Sequence, residues 1–73
     1  MENNKLTADD LALYAAANKA DDAFQAAVIK QFGKNNAGTM RYMGSKHNAE
    51  TKAASSAYWI AANAWLDAMK KAA

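Results

Sequence analysis

TADDLALYAAANKADDAFQAAVIKQFGK, running from Thr7 to Lys34, carries helix signals from start to stop. Thr7 stands where an N-cap belongs, with a hydroxyl able to accept from the amide three residues on. Asp9 and Asp10 put negative charge in the first turn, where the unpaired amides of a helix start favour it. At about 100° per residue, Leu13, Ala16, Ala17, Ala20, Ala23, Phe24, Ala27 and Val28 gather on one face, with Tyr14 and Phe32 at its edge. Asn18, Lys19, Asp22, Gln25 and Lys30 face away, and Gln31 falls inside the apolar stripe against the pattern. Gly33, able to take the left-handed conformation, ends the helix after Phe32, while Lys30 and Lys34 complement the negative end of its dipole. The spacing predicts helix 1 over about 7–32.

A second segment of the same character, NAETKAASSAYWIAANAWLDAMKKA, runs from Asn48 to Ala72. Asn48 is the expected N-cap and Glu50 occupies the first turn. The predicted stripe of this helix 2, about 48–72, is Thr51, Ser55, Tyr58, Trp59, Ala62, Trp65, Leu66 and Met69. A weaker strip of Ala53, Ala57, Ile60 and Ala64 suits a further helix. Pairing the two segments antiparallel sets Asp9 and Asp10 beside Lys70 and Lys71, an arrangement whose charges agree with a hairpin.

With 73 residues the chain makes one domain, 1–73, close to the size at which a single core barely supports a fold without a disulfide, a metal or a partner. It has no cysteine and no proline, so stapling and thiolate metal sites are excluded and the main helix breaker is absent. The fold class expected is all-α: an antiparallel helical hairpin with a long basic connection, completing a helical bundle by self-association. The polar opening Met1 to Lys5 lacks the basic start and apolar run of a secretory signal. Ala57 to Leu66, the most apolar stretch, is too short to span a bilayer. No membrane contact and a cytoplasmic location are expected.

The connection, 33–47, is long for neighbouring helices. Thr39 to Met43 reads as a short extended piece that places Met40 and Tyr42 over the bundle end, or as adaptable contact residues on a binding loop. Lys30, Lys34, Arg41, Lys46 and Lys52 form a run with no acidic residue between Asp22 and Glu50. Dipole complementation and solubility explain such a run. It also suits contact with an acidic protein surface, for which Lys34, Arg41, Tyr42 and Lys46 are the candidate partner-binding residues, or with a phosphate backbone, Tyr42 stacking on a base. The net charge of +2 is well short of that of a dedicated nucleic-acid binder.

No catalytic, cofactor or metal signature is present, and an enzyme is not expected. His47 is the single histidine and has no orienting partner in the sequence. The pairs Asp9-Asp10 and Asp21-Asp22 lack any supporting ligand pattern, and Gly33, Gly38 and Gly44 match no phosphate-loop spacing. Tyr58, Trp59, Trp65, Leu66 and Met69 are core residues first. Helix 1 nevertheless faces them mostly with alanine, and an enclosed Trp or Tyr buries about 150–250 Å². These five are therefore also the expected association surface of a homo-oligomer, most simply a dimer, with packing of the long connection over the aromatics as the alternative.

The run Asp22-Ala23-Phe24-Gln25-Ala26-Ala27, then Phe32-Gly33-Lys34, Met40-Arg41-Tyr42 and Ala64-Trp65-Leu66-Asp67-Ala68-Met69, resembles a group of small alanine-rich helical proteins encoded by bacteriophages. The resemblance implies a mobile-element setting, in which compact accessory proteins bind host factors or block defence systems in the host cytoplasm. It brings no activity and no site residues with it. The expected function is protein–protein interaction, in its most concrete form inhibition of a host or defence protein. The alternative is a small dimeric nucleic-acid-binding protein using the basic tip.

Overall fold

Two long helices lie side by side in opposite directions: α1, Ala8–Phe32, and α3, Ala49–Ala72, joined through a single helical turn, α2, Ala37–Met40, and a 3-10 turn, Gly44–Lys46. The computed structural model describes residues 6–72, and side chains through 71. Met1 to Lys5, read above for a secretory signal, lie outside the described residues. The order of contacts fixes the antiparallel sense: Tyr14 meets Trp65, Phe24 meets Tyr58, the Thr51 hydroxyl donates to the Ala27 carbonyl, and Lys30 pairs with Glu50.

Both ends of α1 are built as the sequence indicates. Thr7 accepts from the Asp10 amide at 3.1 Å, and the Asp10 carboxylate accepts from the Thr7 amide at 3.0 Å. This reciprocal box satisfies two groups that the helix leaves unpaired. The Thr7 amide holds the Asp10 carboxyl below the usual carboxylate range; desolvation opposes it, and the Thr7 hydroxyl and Lys71 add smaller lowering contributions. Gly33 closes the helix by donating to Ile29 at 2.8 Å. Its φ of 88° is positive, as expected, but with ψ of 156° it is extended rather than left-handed helical, a region open essentially to glycine. Asn48 caps α3, its side chain accepting from the Thr51 amide at 2.9 Å.

The faces that meet are narrower than the stripes expected from the sequence. In α3 the inward line is Thr51, Ala54, Tyr58, Ala61, Trp65 and Ala68, all buried or half-buried. In α1 it is Leu13, Ala17, Ala20, Phe24, Ala27 and Gln31, and Val28 beside this line is fully buried in the cluster with Phe24 and Ala37. Steps of three and four residues alternate along both, the seven-residue repeat of a coiled-coil seam. Ala16 and Ala23, placed in the helix 1 stripe above, are exposed, and so are Trp59, Leu66 and Met69 in α3. A hairpin offers each helix one neighbour, and a seam two positions wide is all that one neighbour covers.

The best-enclosed part of the molecule is at the connection end, where Phe24, Val28 and Ala37 are buried with Phe32, Met40, Ala54 and Tyr58 packed against them. Each fully buried Phe or Val side chain stabilises the fold by about 1.5–3 kcal/mol. The extended piece expected over Thr39 to Met43 does not form. With no strand among the described residues to pair with, these backbone groups pair locally: Met40 donates to Asn36, Arg41 to Ala37 and Met43 to Met40. Gly33→Ala is expected to lower unfolding stability by about 1–3 kcal/mol in urea titration, since alanine is strained at that φ. Gly38→Ala, in α2 with open space at its Cβ position, should leave stability unchanged or slightly raised.

Candidate functional site

Arg41 is the organising residue of the tip. Its guanidinium lies 4.5 Å from the centre of the Phe24 ring and 5.2 Å from that of Tyr58, donates to Gln25 Oε1 at 2.9 Å and pairs with the Asp21 carboxylate. The side chain is only 15% exposed. Cation and ring quadrupole attract, and the planar group covers two rings while its edge bonds to the carboxylate and amide of α1. Arg41 therefore turns inward and fastens the connection to α1 and α3, in contrast to the other three residues expected to meet a partner. Lys34, Lys46 and Tyr42 are exposed, Tyr42 to 79%.

His47 is also built into the fold. It is buried, its ring edge-on to Phe24 at 5.8 Å and 6.1 Å from Phe32. Nε2 lies 2.8 Å from the Met40 carbonyl oxygen, and because a carbonyl only accepts, Nε2 carries the proton. Gln31, the misfit of the apolar stripe, bridges two backbone groups. Its amide donates to the Lys46 carbonyl at 2.8 Å and accepts from the Asn48 amide at 2.9 Å. Arg41, His47 and Gln31 together hold the long connection against the helices. Lys30 and Glu50 make an exposed ion pair at 3.1 Å, worth about 0–1 kcal/mol.

The five aromatic and apolar residues expected to form an association surface divide into two groups. Tyr58 stacks on Phe24 at 5.8 Å and Trp65 sits 5.0 Å from Tyr14, both half-buried. Trp59 is 54% exposed, and Leu66 and Met69 are exposed as well. Trp59 and Leu66 are joined from α1 by Tyr14, 49% exposed, which the helical projection placed only at the edge of a stripe. Two clefts run along this side and share Tyr58 and Trp59. One, of about 360 Å³, reaches Arg41, Tyr42 and His47; the other, of about 280 Å³, reaches Tyr14, Trp65 and Leu66. Adjoining at Tyr58 and Trp59, the two clefts make up an aromatic groove on this side of the hairpin.

Among the described residues, no group of three His, Cys, Asp or Glu side chains is placed to hold a metal ion. No helix among them is long and apolar enough to cross a membrane. Comparison with protein-family models, curated proteins and solved structures returns no match, so the functional reading rests on the geometry and on the sequence itself.

Replacing Arg41 removes a cation shared by two rings and two polar partners, all partly shielded from water. Arg41→Ala is expected to cost roughly 2 kcal/mol of unfolding stability, whereas Lys34→Ala and Lys46→Ala at exposed sites should stay within about 0.5 kcal/mol of wild type, measured by urea unfolding.

Proposed function

We propose that this chain is a small α-helical interaction protein that associates with itself through the aromatic groove and acts by occupying a surface on another macromolecule. The observation supporting this reading is Trp59, a large ring at mid-helix left half in water, with Tyr14 and Leu66 exposed beside it. Contiguous exposed aromatic surface of this kind is the usual substance of a protein contact, where Trp and Tyr serve as anchors. At the tip, Lys34, Lys46 and Tyr42 offer charge-guided contact to an acidic protein surface. In the setting implied by the resemblance to bacteriophage proteins, that surface belongs to a host or defence protein in the host cytoplasm, and occupying it inhibits it.

The inward turn of Arg41 favours this reading over nucleic-acid binding. Phosphate affinity grows with the number of phosphates neutralised, and a tip that commits its one arginine to Asp21, Gln25 and two rings keeps its exposed lysines alone for that purpose. Sedimentation equilibrium over micromolar concentrations tests the association. Wild type is expected to exceed the 7.8 kDa of one chain, and Trp59→Ser to sediment as a single chain with an unchanged helical circular-dichroism spectrum. A wild-type mass of 7.8 kDa throughout removes the association surface.

A further inference from the structure

The aromatic groove has a direction, and charge is divided along the same axis. Residues 30–52, the tip, carry Lys30, Lys34, Arg41, Lys46 and Lys52 against Glu50, a net charge of +4. The remaining described residues, 6–29 and 53–72, carry Lys19, Lys70 and Lys71 against Asp9, Asp10, Asp21, Asp22 and Asp67, a net charge of −2. Trp59 lies close to the middle of α3, beyond the positive tip segment, and is shared by both clefts.

We infer that the occupant of the groove is a second copy of this chain laid antiparallel, related by a two-fold axis passing near Trp59. This rests on the reading of the aromatic side as an association surface. Three observations favour this arrangement. A two-fold axis brings identical residues together only where it crosses the interface, and the large exposed ring nearest the centre of the groove is Trp59. With the axis there, the exposed Tyr42 of one copy comes over the Tyr14 and Leu66 end of the other, so each copy covers what its neighbour leaves open. Each +4 tip also lies against the far end of the other copy, where Asp9, Asp10 and Asp67 against Lys70 and Lys71 leave a net charge of −1, while a parallel pair would set the two +4 tips side by side.

The available area is of the right order. Tyr14, Trp59 and Tyr42 at 49, 54 and 79% exposure hold about 400 Å² between them. That is half of the ~800 Å² which each partner buries in an interface of standard size, before Leu66 and the flanking alanines are counted.

Spin-label distances measured by pulsed electron resonance test the orientation, and the absence of native cysteine makes single-site labelling clean. Asn35→Cys labels the tip and Lys70→Cys the opposite end, both at exposed positions. At about 1.5 Å per helical residue, an antiparallel pair separates two tip labels, or two end labels, by about 35 Å, and brings a tip label within about 25 Å of an end label in an equal mixture of the two variants. The inference expects that pattern. Short distances between like labels, with long ones in the mixture, would overturn the antiparallel arrangement while leaving self-association intact. No intermolecular coupling at any concentration would overturn both.

Discussion

Alanine takes three of the six inward positions on each long helix, Ala17, Ala20 and Ala27 on α1 and Ala54, Ala61 and Ala68 on α3, and the remaining structure follows from what so small a side chain can and cannot cover. A methyl group lets the two backbones come together and costs no side-chain entropy on folding. It offers little surface to a bulky neighbour. The rings that find shelter therefore do so against other large groups: Tyr58 on Phe24 and Arg41, Trp65 on Tyr14. Trp59 lies outside the repeat of inward positions in α3 and is left half in water.

The same scarcity of bulk explains why the connection is long and folded back. A two-helix seam of alanine and a few rings is a small core for a chain of this length, and α2 adds to it by burying Ala37 and packing Met40 beside Phe24 and Val28. Polar side chains then hold the segment in place. Arg41 reaches α1, Gln31 reaches the Lys46 carbonyl and the Asn48 amide, and His47 returns to Met40. Residues that a charge map would assign to solvent or to a partner are thus spent inside the molecule. Among what the fold leaves over for others are Lys34, Lys46 and Tyr42 at the tip, Trp59, Leu66 and Tyr14 along the groove, and Leu11 and Ile60 elsewhere on the long helices.

The all-α hairpin was legible because its signals are local: the Thr7 and Asp10 box, Gly33 after Phe32 and Asn48 before α3 each mark a helix end through hydrogen bonds within a few residues. The choice of inward face was less legible. A single-helix projection spreads the apolar residues over a broad stripe, whereas two helices in register bury chiefly the three-four alternation, and the recurrence of Ala54, Ala61 and Ala68 at seven-residue steps was the signal that distinguishes the two. Gln31 in the stripe was a second signal, a polar group whose inward position requires a partner. The inward turn of Arg41 had no local signature, because its partners Asp21, Gln25, Phe24 and Tyr58 are brought to it only by the folding of the connection.

The central claim is that the alanine-lined seam leaves Trp59 without cover until a second molecule supplies it. Acrylamide quenching of Trp59 fluorescence in a Trp65→Phe variant, followed as a function of protein concentration, tests this most directly. The account predicts an accessible ring at high dilution that becomes protected, with a blue-shifted emission, as concentration rises into the associating range. A ring already protected at the lowest concentration, or one equally accessible at every concentration, would contradict it.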